Sequence, residues 1–245
     1  MSDAALSHHQ TLHERLRNVR QQIDAAAVRS RRTPESVTLI AVSKTHPPEL
    51  LQQAINAGAQ DFGENRVQEA ADKIEMVGRE SARWHLIGHL QANKARRAVT
   101  LFDLIHSVDS VALARRLDRL CGEEGREALP VLIQVDLGGE ATKSGVSEDE
   151  LPELVRALTA CERLHLTGLM TLPPFFENPE DARPYFRRLR ALRDELGSRG
   201  DFGTRVGELS MGMSHDYEAA IEEGATMVRV GTAIFGTRGK QPYTP

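Results

Sequence analysis

The sequence predicts an α/β protein: a single (β/α)8 TIM barrel over residues 1–245, with an extra helix at its N-terminal end. Three observations lead there. Eight short apolar segments alternate with amphipathic ones, as in a parallel sheet covered by crossover helices. The chain has 245 residues, a length that such barrels reach as one domain. No linker, low-complexity stretch or shift of composition divides it. A doubly wound open sheet is the other arrangement these units allow.

The elements follow in order. Leu12, Leu16, Val19 and Ile23 share one face of a helix expected over about 4–31, which Thr33-Pro34 ends. Residues 37–42 are short, apolar and rich in β-branched side chains, the mark of a strand buried on both faces. A helix with Leu50, Leu51, Ala54 and Ile55 on one side runs to Gly58. Then come a strand at 60–63, a helix at 65–79, a strand at 84–87, a helix at 91–99 and a strand at 104–107. Asp109 is expected to cap a helix carrying Leu113, Leu117 and Leu120. A strand at 130–135 follows. Ser147 and Glu150 have the spacing of a capping box, ahead of a helix that turns Leu151, Leu154, Val155 and Leu158 inward. Residues 164–170 form a strand, and Asn178-Pro179 starts a helix with Tyr185, Leu189, Leu192 and Leu196. A strand at 205–210, a helix at 215–223 and a strand at 227–230 complete the series.

Composition narrows the function. Lys plus Arg is 31 and Asp plus Glu 35, a net charge of -4; this argues against nucleic acid or a membrane surface as partner. Seven Phe, three Tyr and one Trp are too few for a base-stacking platform. The two cysteines, Cys121 and Cys161, lie in no CxxC or Cys/His cluster, so they are expected as reduced thiols of a cytoplasmic protein. The first ten residues carry no apolar run of a signal peptide, and no stretch has the length of a membrane span.

In a barrel of this kind chemistry sits at the carboxyl ends of the strands. Lys44 lies just past the first strand. It is either a salt-bridged rim lysine or an amine nucleophile that forms a Schiff base with a carbonyl. Loops after strands 7 and 8 often bind phosphate. Here they are Ser210–Ser214, running into a helix, and Gly231-Thr232, with hydroxyls and free backbone N–H groups for an anion. Arg229 interrupts an apolar strand and must be paired. It would serve a ring nitrogen or a carboxylate, or form a structural ion pair. His85 and His89 are about 13 Å apart on a strand, too far to share a metal. Gly231 to Gly236 has P-loop spacing, but Thr237-Arg238 stands where Lys-Ser/Thr is needed.

These residues sit within longer motifs: Ala41-Val-Ser-Lys-Thr45, Phe62-Gly-Glu-Asn-Arg-Val-Gln-Glu69, Trp84-His-Leu-Ile-Gly-His-Leu-Gln91, Lys143-Ser-Gly145, Gly168-Leu-Met-Thr171, Leu209-Ser-Met-Gly-Met-Ser214 and Val228-Arg-Val-Gly-Thr-Ala-Ile-Phe-Gly236. Through them the chain resembles the YggS/PROSC family of pyridoxal phosphate homeostasis proteins. The resemblance implies a barrel similar to the N-terminal domain of alanine racemase, carrying pyridoxal 5′-phosphate (PLP). On the matching positions, Lys44 would hold the cofactor as an internal aldimine. Ser214, Gly231 and Thr232 would hold the phosphate, with the Met213 backbone close by. Arg229 would face the pyridine nitrogen, and Asn65 would lie near the ring. His89 and Leu86 depart from the family's usual Pro and its usual aromatic or Met.

A cation at the pyridine nitrogen disfavours ring protonation and weakens the cofactor as an electron sink. A second base from beyond the barrel is not expected. The resemblance therefore implies a non-catalytic protein that buffers PLP and delivers it to apo PLP-dependent enzymes, in a family described mostly as monomeric. A PLP-dependent racemase and a Schiff-base barrel enzyme without PLP remain the alternatives. The Gly-rich loop 136–146, which holds Lys143, is a candidate cover or partner surface.

Overall fold

The structure, a computed structural model, describes residues 10–139 and 144–236. The first residues of the expected N-terminal helix, the His8-His9 pair and Lys143 lie outside the described residues.

Eight parallel strands close on themselves in chain order. They are β1 (Thr38–Val42), β2 (Asp61–Glu64), β3 (Arg83–Leu86), β4 (Leu104–Val108), β5 (Leu129–Gln134), β6 (Leu164–Met170), β7 (Glu208–Met213) and β8 (Met227–Val230). β8 pairs with β1 through Ile40 opposite Arg229 and Ala41 opposite Val230. That pairing excludes the open sheet. Between the strands run α2 (Pro48–Asn56), α3 (Val67–Val77), α4 (Ala95–Leu101), α5 (Val111–Glu123), α6 (Leu151–Thr159), α7 (Arg183–Ser198) and α8 (Tyr217–Glu222). α1 (Leu12–Arg29) precedes the barrel and α9 (Thr232–Phe235) follows it.

Side chains alternate along each strand. Phe62, Trp84, Leu86, Ile105, Val131, Ile133, Leu169 and Val228 face outward and pack with the helices in one continuous core. Leu104, Leu132 and Met170 form a separate plug inside the barrel, with Met227 and Leu172 against it. α1 opens with a capping box, in which the Glu14 N–H reaches Thr11 and the Thr11 N–H reaches Glu14. It covers the seam where β8 meets β1: Arg15 Nε donates to Ile234 O at 2.6 Å, and Tyr217 Oη donates to Gln22 Oε1 at 2.5 Å.

Three elements differ from the sequence reading. β7 lies three residues beyond the expected 205–210, because residues 201–205 form turns and Gly207 (φ +91°) packs against the Phe202 ring. Ser210 and Gly212 therefore belong to the strand. α5 is capped by Ser110, whose Oγ accepts the Leu113 N–H at 3.3 Å; Asp109 instead meets His89 at 3.2 Å. A short α9 stands after β8 where no helix was expected. The Ser147–Glu150 pair makes the expected bonds in both directions, in a turn just ahead of α6, whose N-cap is Glu150.

Cys121 is buried and Cys161 half-buried, and both are free thiols. Burial pushes the Cys161 thiol up to about 11. Among the described residues no helix is long and apolar enough to cross a membrane, and no group of three or more His, Cys, Asp or Glu side chains could hold a metal ion.

Candidate functional site

Lys44 occupies the tight turn that ends β1. The His46 N–H closes this turn on Ser43 O at 3.0 Å, and Thr45 sits at φ +64°, a costly conformation for a β-branched residue. A buried ionic cluster holds it there. Lys73 Nζ donates to Ser43 O, Glu64 Oε1 and Glu69 Oε1, each at 2.7 Å. Ser43 Oγ donates to Glu64 Oε1 at 2.5 Å, and the Thr45 N–H donates to Glu69 Oε1. Burial pushes the Glu64 carboxyl up against the pull of Lys73. At Glu69 burial also acts upward, but Lys73 and the Thr45 N–H prevail and hold it below the usual carboxylate range. Glu64 Oε2 is buried without a partner. Lys44 itself is half-buried, and among the described residues its amine joins no ion pair. The ion pair described at this turn is the one that Lys73 makes with Glu69 beneath Lys44.

Asn65 follows β2 directly. Its backbone leaves no room for a side chain on Gly88: a Cβ there would lie 2.7 Å from Asn65 Cα.

The ends of β7 and β8 meet through Ser214, whose Oγ accepts the Gly231 N–H at 3.1 Å. Gly231 also touches the end of β1, since a Cβ on it would lie 3.2 Å from Val42 O and 3.4 Å from Val42 Cβ. Val42 stands two residues before Lys44, so the β8 end and the Lys44 turn are neighbours across the seam. Thr232 is exposed and begins α9, where first-turn N–H groups have no partner within the helix. The Met213 N–H is already taken by Asp216 Oδ1 at 2.6 Å, and burial pushes the Asp216 carboxyl up.

Arg229 points into the barrel and is 3% exposed. Nη1 donates to Ser210 Oγ at 2.6 Å and Nη2 to Thr171 O at 2.9 Å. Among the described residues it forms no ion pair. Burial lowers it to about 10, partly offset by Asp216, so it remains a cation at neutral pH.

Sequence reasoning missed the groups beneath these residues, Glu64, Glu69 and Lys73 under Lys44 and His106 under Arg229, and read His85 and Ser210 for other roles. A signal was present in His85 and His106, polar residues at inward positions of short strands. Reading His85 against His89 concealed it, because His85 bonds His106 on the adjacent strand, Nδ1 to Nε2 at 2.9 Å. In the 136–146 loop, Asp136 Oδ1 accepts the Gly138 N–H at 3.0 Å and the Gly139 N–H at 3.2 Å, a local turn.

The family described as Alanine racemase, N-terminal domain, matches residues 15–239. A pyridoxal phosphate homeostasis protein of Aquifex aeolicus is 45% identical over 225 residues, which is 92% of this chain and 97% of that protein. The chain belongs to the pyridoxal phosphate homeostasis protein family. The Escherichia coli K12 member is 44% identical over 229 residues, 91% of this chain and 95% of its own. Among solved structures, PipY of Synechococcus elongatus with PLP bound has 42% identity and a TM-score of 0.78, covering 92% of this chain and 100% of PipY. Alanine racemase from Corynebacterium glutamicum, at 20% identity and a TM-score of 0.67 over 95% of this chain and 63% of its own, shares the fold alone.

Proposed function

We propose that this chain binds pyridoxal 5′-phosphate through Lys44 and acts as a carrier that buffers and delivers it. The observation that carries the reading is one juxtaposition at the β8–β1 seam. An amine that joins no ion pair among the described residues stands beside the Ser214 hydroxyl, which keeps its proton for an anion because its oxygen accepts the Gly231 N–H, with a buried guanidinium below. The donor set fits the ligand: an amine for an aldehyde, hydroxyl and N–H donors for a phosphate, and a cation for a ring nitrogen. The PLP-bound structure of a 42% identical relative supports the same ligand.

When bound, pyridoxal phosphate supplies an aldehyde carbon and an electron-withdrawing ring. Lys44 Nζ would bind that carbon. The Ser214 hydroxyl, the Gly231 backbone and Thr232 at the start of α9 would hold the phosphate. Met213 would contribute through its turn with Asp216 rather than through its own N–H. Asn65 would flank the ring. Arg229 has no acceptor and stays protonated, so it would face the pyridine nitrogen as a donor and keep that nitrogen free of a proton. A ring so held is a weak electron sink, which supports storage and transfer over turnover. The homeostasis names of the relatives agree.

We further propose that residues 1–245 make one such barrel domain, that it works in the cytoplasm as a monomer, and that apo PLP-dependent enzymes receive the ligand. The free cysteines support that compartment.

Purified protein titrated with PLP tests the reading. A visible band that disappears in Lys44→Ala is expected, without steady racemisation of L- or D-alanine. Turnover on the order of 1 per second, typical of enzymes, would replace the carrier with a racemase. A protein that takes up no PLP would overturn the ligand itself.

A further inference from the structure

A single line of polar groups crosses the inside of the barrel. At one end Arg83 Nε donates to Asp61 Oδ1 at 2.7 Å, and His85 Nε2 lies 2.9 Å from the same oxygen. His85 Nδ1 meets His106 Nε2 at 2.9 Å, and His106 Nδ1 meets Ser210 Oγ at 2.9 Å. Arg229 Nη1 donates to Ser210 Oγ at 2.6 Å. His106 and Ser210 are fully buried, and His85 and Arg229 are each 3% exposed.

One assignment of protons gives every group in the line a partner. A guanidinium only donates and an ionised carboxylate only accepts. Ser210 therefore accepts from Arg229 and gives its own proton to His106 Nδ1. His106 then carries its proton on Nε2 and donates to His85 Nδ1. His85 likewise carries its proton on Nε2 and donates to Asp61. A proton added to His85 would reverse His106 and leave the buried Ser210 hydroxyl without an acceptor in the line. The neutral state of His106 agrees, because burial above all holds it well below the ordinary imidazole value.

We propose that His106, acting through Ser210, is a positioning residue for Arg229. It fixes the guanidinium plane and turns the remaining N–H donors of Arg229 toward the ligand ring. Thr171 O tethers the other terminal nitrogen, so the two anchors hold the plane at two points. The inference rests on the PLP reading for what the guanidinium faces; the hydrogen-bonded line stands without it.

The test has two parts. In ligand-free protein, imidazole 15N NMR should show His85 and His106 as neutral Nε2–H tautomers. Either ring found protonated on Nδ1 overturns the line. In PLP titrations, His106→Leu should shift the visible band and weaken retention about tenfold, the loss of roughly one hydrogen bond. His106→Gln, which keeps a donor and an acceptor, should restore most of it. Added to Arg229→Ala, His106→Leu should change nothing further. An unchanged band and affinity in His106→Leu, or effects that simply add to those of Arg229→Ala, would overturn the role. If His106→Leu does not fold, Ser210→Ala cuts the same link and carries the same expectations. A wild-type protein that takes up no PLP would sink the role together with the ligand, while the tautomers would still decide whether the line exists.

Discussion

Ser214 Oγ accepts the Gly231 N–H at 3.1 Å, and this bond joins two loops that the chain separates by a whole helix and strand. It leaves the Ser214 hydroxyl proton free to point at an anion. Ser214→Ala should weaken PLP retention by about 10- to 100-fold, as expected for a hydrogen bond to a charged group. Binding of pyridoxal without its phosphate should change far less. Equilibrium titration of both ligands checks this, and equal losses for the two would place Ser214 away from the phosphate.

Lys73 is the hub beneath the Lys44 turn, with Glu64 and Glu69 on its ammonium. Lys73→Met leaves Glu64 buried and unpaired, which should cost about 3–5 kcal/mol of stability. Urea unfolding measures it. Adding Glu64→Gln should recover part of the loss, because the stranded charge is then gone. A Lys73→Met variant as stable as wild type would show that the cluster does not hold the turn.

Much of this was legible in the sequence. The eight strands, the closed fold and the strand-end position of Lys44 follow from apolar periodicity, because strands buried on both faces leave a continuous signal. The Ser147–Glu150 box was legible because its chemistry is local. β7 was misplaced because Val206, 73% exposed, reads as strand, although Gly207 turns the chain only after it. The supporting groups were not legible for a different reason. His85 and His106 lie 21 residues apart and meet only because β3 and β4 pair in one register, and nothing in the local spacing encodes that register.

His106 also makes stability depend on pH in a defined direction. Its folded-state value lies well below the 6.5 of a free imidazole, chiefly through burial. Below about pH 6.5 the unfolded chain binds a proton that the folded chain refuses. The stability present above that pH is therefore lost as pH falls, by up to about 1.4 kcal/mol per pH unit. Between pH 7.5 and 5.5, wild type should lose about 1 kcal/mol more than His106→Gln in urea unfolding. Equal losses would mean that the ring is protonated in the folded state.

Lys44 decides the whole account. After incubation with PLP and borohydride reduction, intact-mass analysis should show one added pyridoxyl group, and peptide mapping should place it on Lys44. The adduct should be absent in Lys44→Ala. An adduct on Lys73, Lys94 or any other lysine, or none at all, would contradict the account.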